Sequence, residues 1–249
     1  MINIALIPAR SGSTGILNKN LKIVGGISLV SRSVKHALES DIFDSIIVST
    51  DSFDIASGLS TQLNRREFDE VEADSLIKIS ENMFIHKRPR ELALSDTLIS
   101  DLLFHLSPRL VFHYLWLLQP TSPFRHHKEF REIMTIIQRE EDLGRSWSSI
   151  ISVANVNGFH PDRMYRIENN ILDPIFPFKK VDNIPRQKLE SIFIKDGGYY
   201  ILKYENLKHQ IMLGSKIIPY ERRGFYTINI DTLSDLILAQ SVSERNLCE

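Results

Sequence analysis

The chain has 249 residues, enough for one large domain or a main domain with a smaller attachment. Its 30 Lys and Arg face 31 Asp and Glu, and the formal net charge of -1 excludes a general polyanion binder while leaving room for a local basic pocket. Apolar residues at 43% and charged residues at 24% are the composition of a soluble globular protein, and no apolar run approaches the ~20 residues that span a bilayer. The opening residues lack a cationic segment followed by a long apolar run, which predicts a cytoplasmic protein with no membrane partner. The single cysteine, Cys248, supports neither an intrachain disulfide nor a multi-cysteine zinc site.

Ile2 to Ile7 is a short apolar run closed by Pro8, the pattern of a strand buried on both faces. From Pro8 to Asn20 the chain turns polar, with Ser11, Gly12, Ser13 and Gly15 among the cations Arg10 and Lys19, and Lys22 just beyond. Such a segment can bend around a ligand and turn backbone N–H groups toward phosphate oxygens. It is neither a P-loop, since no GKS or GKT follows, nor GxGxxG. An ordinary strand-to-helix loop with solvated cations accounts for the composition equally well.

Leu29, Val30, Val34, Ala37 and Leu38 recur at helical spacing, and Ser45 to Ser49 reads as a second buried strand ending in Thr50-Asp51-Ser52. Strand, crossover helix and strand predict a parallel unit whose ligands gather beyond the carboxyl ends of the strands. A helix is expected over Asp54 to Leu63, a polar stretch over Asn64 to Asp74, a short strand near Ile85, and a helix from Ser95 to Leu106 capped by Ser95 or Asp96. Val111 to Leu118 is the most apolar strand candidate and runs into Gln119-Pro120-Thr121-Ser122-Pro123-Phe124-Arg125, a stiff loop carrying an amide, hydroxyls and a guanidinium.

A helix over Lys128 to Arg139 and a strand over Ser148 to Val153 follow. Residues 155–187 are irregular yet rich in Phe, Tyr, Ile and Met, too apolar for a disordered linker, and read as an inserted arm. Asp196-Gly197-Gly198 precedes a strand, Lys216 to Pro219 is another, and a helix from Leu233 to Ser243 ends the pattern. The expected organisation is a core of residues 1–154, the arm at 155–187, and core completion at 188–249. Histidines form no metal motif, and His126-His127 is adjacent rather than four apart.

Ile7-Pro8-Ala9-Arg10-Ser11-Gly12-Ser13 with Lys19-Asn20, Ser49-Thr50-Asp51-Ser52, the Leu117 to Arg125 run and Ile230-Asp231-Thr232 resemble the cytidylyltransferases that make CMP-activated sialic acids. Arg88-Pro89-Arg90-Glu91-Leu92-Ala93, His160 to Tyr165, Arg186-Gln187 and Gly197-Gly198-Tyr199-Tyr200 match in the same order. The resemblance implies a doubly wound, mostly parallel α/β sheet with Rossmann-like topology and a dimerisation arm, giving a homodimer with no nucleic-acid partner. It implies that CTP and a nine-carbon 2-keto acid sugar become a CMP-sugar and diphosphate with the help of Mg2+.

Carried across residue by residue, it assigns Arg10, Lys19 and Asp231 to catalysis, and Ala9, Arg10, Ser11, Gly12, Ser13, Lys19, Asn20 and Asp51 to the nucleotide. Gln119, Arg125, Arg163, Arg186 and Tyr199 fall to the sugar, and Asp231 with Asn229 to the metal. Arg and Lys suit a triphosphate by bidentate and point-charge contact, and a carboxylate suits a hard Mg2+ ion. Three positions depart from the family pattern: Thr14 where Lys is usual, Asp196 where Asn is frequent, and Asn229 where a second Asp is common. The nearest alternatives are a synthase for the eight-carbon acid Kdo, whose opening motif shares Gly12-Ser13-Thr14, and a nucleotide-binding scaffold without turnover.

Overall fold

A computed structural model describes residues 1–12, 15–156, 159–176 and 185–247. The first strand, β1 (Asn3–Pro8), is buried along almost its whole length. A short hairpin of β2 (Ile23–Val24) and β3 (Ile27–Ser28) precedes helix α1 (Leu29–Ser40), whose Ser28 hydroxyl caps the Ser31 amide. Strand β4 (Ser45–Thr50) pairs in parallel with β1, and the crossover read from the sequence is the first unit of the fold.

The next stretch differs from the sequence reading. Helix α2 is only Phe53–Ser57, and the polar stretch holds its own helix, α3 (Arg65–Glu70). Asn64 and Glu67 close a reciprocal capping box there, so caps outweigh the lack of an apolar face. Strand β5 (Leu76–Lys78) runs antiparallel to β6 (Met83–Lys87), giving two strands where one was expected.

Helix α4 is Ile99–Leu106 and begins four residues later than Ser95, with the Asp101 carboxylate accepting from the Leu98 amide. Strand β7 is Tyr114–Leu117, shorter than its apolar run because Val111 lies on the surface at 79% exposure. Helix α5 (His127–Asp142) lays Phe130, Ile133 and Ile137 against the sheet, and β8 (Ser149–Asn155) follows. The described part of the excursion contains an antiparallel hairpin, β9 (Tyr165–Glu168) with β10 (Ile171–Pro174). Strand β11 (Phe193–Lys203), helix α6 (Tyr204–Lys208), strand β12 (Ile217–Arg222) and helix α7 (Leu233–Glu244) complete the chain.

The main sheet has eight strands in the order β12-β8-β11-β7-β1-β4-β6-β5. Pairings β12–β8, β7–β1, β1–β4 and β4–β6 are parallel, while β11 opposes both of its neighbours. One face packs Val30, Val34 and Ala37 of α1 with Phe130, Ile133 and Ile137 of α5; the other packs Leu102, Leu103 and Leu106 of α4 with Leu207 of α6. A sheet covered on both faces explains why its central strands read as continuous apolar runs. Among the described residues, no helix is long and apolar enough to cross a membrane.

Candidate nucleotide-binding cleft

The carboxyl ends of β1, β6 and β7 open on one cleft of about 450 Å³. Arg10, Gly15, Lys19 and Asn20 reach it from the loop after β1, Arg88 from the end of β6, and Gln119, Pro120 and Thr121 from the loop after β7. Asn229 and Asp231 close a further side, and Leu98, Ile99 and Leu102 form an apolar wall at the start of α4. Convergent polar groups beside an apolar wall are the make-up of a small-molecule site.

The opening loop is fixed from several directions. Asn20, 8% exposed, donates to the Arg10 carbonyl at 2.9 Å, and Gly12 has a φ of +62°, a left-handed conformation that glycine adopts without strain. The Arg10 guanidinium donates to the carbonyls of Ala93, Leu94 and Ser95, tying this loop to the segment that leads into α4. Gly15 approaches the far side of the cleft so closely that a Cβ there would lie 2.7 Å from the Asp231 carbonyl oxygen. Two amides expected to face phosphates serve the protein instead: Ala9 donates to the Ser49 carbonyl and Ser11 to Asp51 Oδ1 at 2.7 Å. Asp51 is thereby a brace for the loop, and Ser13 lies outside the described residues.

Asp231 lies in an irregular segment rather than on a strand. Gly224–Thr227 is a 3-10 turn, and the following segment is held because the Ile230 amide donates to the Thr121 carbonyl at 2.7 Å. Lys19 Nζ, on a side chain 13% exposed, donates to the Ile230 carbonyl at 2.9 Å and meets Asp231 Oδ1 at 3.1 Å. The Asp231 side chain is 66% exposed. An ion pair so open to water contributes about 0.2–1 kcal/mol, so a phosphate oxygen can replace the carboxylate at Lys19 with little loss.

Asn229 donates from Nδ2 to Asp231 Oδ2 at 2.8 Å, while its buried Oδ1 has no partner and faces Gly197. The two side chains thus lie together, but the amide presents nitrogen rather than oxygen to the carboxylate. They do not form a two-oxygen clamp. Asp231 keeps acceptor capacity beyond these two hydrogen bonds. One carboxylate completed by phosphate oxygens and water is a common way of holding Mg2+, and the residues fit the ion in that mode. Among the described residues, no group of three or more His, Cys, Asp or Glu side chains could hold a metal by itself.

Two residues assigned to the sugar lie beneath the cleft. Arg125 is 5% exposed and donates to the Gly198 carbonyl at 2.9 Å, the Gln119 carbonyl at 2.7 Å and the Ser33 hydroxyl at 3.3 Å. Burial lowers its pKa to about 10, with the charge of Arg222 adding to the effect. It remains a cation and holds the backbone of the Gln119 loop from behind. Tyr199 is fully buried, and its hydroxyl donates to Glu129 Oε2 at 2.9 Å. Its pKa is raised by burial and then by the Glu129 charge.

Arg163 ends the 3-10 turn Pro161–Arg163 and does not line the cleft. The side chain of Arg186 lies outside the described residues. Asp196 is buried at 5% exposure, pairing with Arg222 Nη1 at 2.9 Å and accepting from the Ser152 hydroxyl and, at 3.0 Å, the Gly198 amide. It shapes the Gly197-Gly198 turn from behind.

Arg88 is a cleft residue that carried no role in the sequence reading. It is 6% exposed, donating from Nε to the Ser49 hydroxyl at 3.0 Å and from Nη2 to the Ser49 carbonyl at 2.8 Å. Burial lowers its pKa to about 10, partly offset by Asp51 and reinforced by Arg10. The motif Arg88-Pro89-Arg90 is plain in the sequence, but only the turn after β6 shows which of its two arginines faces inward. Arg10, Lys19 and Arg88 together give the cleft more positive than negative charge, which suits a polyphosphate.

The sheet and this strand-end cleft define an α/β protein with a mostly parallel, Rossmann-like sheet and a small-molecule cleft at its strand ends. At 13% identity, a solved CMP:2-keto-3-deoxy-manno-octonic acid synthetase complexed with CTP aligns over 99% of this chain and 100% of its own, with a TM-score of 0.63. A 4-diphosphocytidyl-2C-methyl-D-erythritol synthase from Anaerococcus prevotii, also at 13% identity, aligns over 98% of this chain and 99% of its own with a TM-score of 0.57.

Sequence comparison narrows the class. A cytidylyltransferase family model matches residues 4–63. The N-acylneuraminate cytidylyltransferase A of Danio rerio is 24% identical over 95% of this chain and 49% of its own length. The N-acylneuraminate cytidylyltransferase of Oncorhynchus mykiss is 27% identical over the same shares, and that of Escherichia coli O18:K1:H7 is 32% identical over 62% of this chain and 32% of its own length. The chain is homologous to the N-acylneuraminate cytidylyltransferase family, and it spans about half the length of the curated relatives it matches.

Proposed function

We propose that the chain transfers CMP from CTP to the anomeric hydroxyl of a nonulosonic acid, a nine-carbon 2-keto acid sugar, releasing diphosphate. The observation that carries this reading is the convergence of Arg10, Lys19, Asn20, Arg88, Gln119 and Asp231 on one cleft, in a chain homologous over nearly its whole length to enzymes named for that activity. In the reaction the sugar's 2-oxygen forms a bond to the α-phosphorus, the bond to the diphosphate oxygen breaks, and the hydroxyl proton is lost to solvent.

The residues of the chain supply position and charge. Lys19 leaves Asp231 for a phosphate oxygen, Arg10 and Arg88 add positive potential where charge collects on the departing diphosphate, and Gln119 offers its amide to the sugar. Asp231 would hold Mg2+, which when bound supplies further positive charge to the phosphates. Arg125 acts on the sugar subsite from beneath, by holding the Gln119 and Gly198 backbones, while Tyr199 is bonded to Glu129 and Ser152 in the core.

The hairpin of β9 and β10 exposes Ile167 at 75%, Ile171 at 69% and Leu172 at 62%. An apolar surface of this kind supports its assignment to an arm, with boundaries at 155–187, that pairs two copies as a homodimer. Arg163 and Arg186 then belong to the arm and are assigned to the sugar-binding site of the opposite copy. Dependence on CTP supports a cytoplasmic location.

Purified protein incubated with CTP, Mg2+ and a panel of N-acetylneuraminate, legionaminate, pseudaminate and Kdo is expected to form a CMP-sugar and diphosphate with a nonulosonate. Product from Kdo alone would select the eight-carbon acid, and CTP binding with no product would select a scaffold. The polar pairing of Asn229 with Asp231 favours the scaffold over the Kdo reading, since it removes a negative charge from the metal side of the cleft.

A further inference from the structure

From Arg88 a continuous line of side chains leads out of the cleft, along the face of the sheet that α4 covers, to Asp74 just before β5. Arg88 Nε donates to the Ser49 hydroxyl, which lies 2.8 Å from His86 Nδ1; His86 Nε2 lies 2.9 Å from Asp74 Oδ1. Ser49 and His86 are completely buried. Burial and then the charges of Arg88 and His105 lower the pKa of His86 to about 4, so the ring is neutral at pH 7. For a neutral ring the proton pattern has one solution: the Asp74 carboxylate only accepts, so the proton lies on Nε2, Nδ1 accepts from the Ser49 hydroxyl, and Ser49 accepts from Arg88.

Asp74 is also where other elements meet. His105 Nε2, from the last turn of α4, lies 2.7 Å from Asp74 Oδ1, and Arg109 pairs with Oδ2. Asp74 itself has a φ of +74°, and its amide donates to the Lys87 carbonyl at 2.7 Å, so its place is set by backbone as well as by charge. The first turn of α4 is the apolar wall of the cleft. One carboxylate outside the cleft thus holds two parts of the site, Arg88 through His86 and Ser49, and α4 through His105.

Resting on the cleft reading above, we propose that Asp74, His86 and Ser49 are positioning residues for the nucleotide, setting the guanidinium of Arg88 in the cleft through a directional, neutral-histidine relay. The charged or titratable groups around His86 are Asp74, His105, Arg109 and Arg88, and the relay's direction depends on His86 carrying no charge. A proton on Nδ1 would confront the Ser49 hydrogen, turn that hydroxyl around, and place a second cation behind Arg88.

Calorimetric titration with CTP tests this on the full chain. Wild type is expected to bind; Asp74→Asn and Ser49→Ala are each expected to weaken binding roughly tenfold, the scale of one hydrogen bond to a charged group. The double variant should be no weaker than about the worse single one, because both substitutions break the same relay. His86→Gln provides a second readout. The ratio of wild-type to variant affinity cancels the nucleotide's own titration, and it should fall from its neutral-pH value as the pH approaches 4. Should wild type fail to bind CTP, the reading of the cleft falls and the relay's role with it. If wild type binds while the two single variants stay within about twofold of it, if their losses multiply in the double variant, or if the His86→Gln ratio is flat with pH, the relay is overturned and the cleft reading stands.

Discussion

Replacing Arg222 by Met tests the physical account of the ground beneath the cleft. The Arg222 side chain is completely buried, with Nε 2.8 Å from Glu129 Oε1 and Nη1 2.9 Å from Asp196 Oδ2. Burial acts to lower its pKa, but Glu129 and Asp196 outweigh that and raise it, so it is a cation at every accessible pH. The Asp196 side chain is 1% exposed, and Arg222→Met would leave its carboxylate with the Ser152 hydroxyl and the Gly198 amide but no counter-charge. Breaking one side of a buried ion pair costs about 3–5 kcal/mol. The variant's urea-unfolding free energy should drop by that amount at pH 7. Combining Arg222→Met with Asp196→Asn should restore much of the loss. A decrease below about 1 kcal/mol at pH 7 would refute the reasoning.

Other substitutions address the cleft itself. Lys19→Met should lower kcat/KM for CTP by roughly 10²-fold in initial-rate assays, the scale of one preorganised charge on a transferring phosphate. Asp231→Asn should remove most Mg2+-dependent product, read as diphosphate release against metal concentration; near-normal turnover would reject the carboxylate as the metal's holder. Gly15→Ala brings a methyl to 2.7 Å from the Asp231 carbonyl oxygen, so backbone must shift; KM for CTP should rise in initial-rate assays and the unfolding midpoint should fall. His86 stays neutral in the fold to about pH 4 but titrates near 6.5 when unfolded. The unfolded chain binds the extra proton first, so acidification from about pH 6.5 to pH 4 should remove roughly 3 kcal/mol of stability, an increment that His86→Gln should lack in pH-dependent urea curves.

The parallel β1-α1-β4 unit was legible because a sheet covered on both faces writes itself as apolar runs separated by a helical period. The loops bearing Arg10, Lys19 and Gln119 were legible as polar breaks at strand ends. What escaped was decided by hydrogen bonds that no period records. Helix α3 is closed by the Asn64 and Glu67 box and buries only Phe68, and β7 is shortened because Val111 falls outside the covered part of the sheet. Arg125 and Tyr199 stand in motifs beside the site, yet a residue two positions from a ligand contact can face the core, and spacing alone does not say which way it turns. Arg88 illustrates the converse. Its neighbours Ser49 and His86 sit on separate strands, and only parallel pairing of β4 with β6 places Ser49 opposite His86.

Two departures from the family pattern look, as sequence, like losses; in the fold each has its own partner. Asp196 adds a negative charge beneath the Gly197-Gly198 turn, and Arg222 neutralises it at 2.9 Å while leaving the turn's geometry to glycine: a Cβ at Gly198 would sit 2.2 Å from Arg222 Nη1. Asn229 takes away a negative charge beside Asp231 but returns an N–H that orients the remaining carboxylate toward Lys19. A single oriented carboxylate paired with a single lysine is close to electroneutral, so an incoming triphosphate meets the potential of Arg10 and Arg88 undiminished by a second acid. The same substitution lowers the charge available to a divalent ion. Nucleotide affinity should therefore depend less on Mg2+ than turnover does, and CTP titrations with and without the ion, set against rates under the same conditions, separate the two.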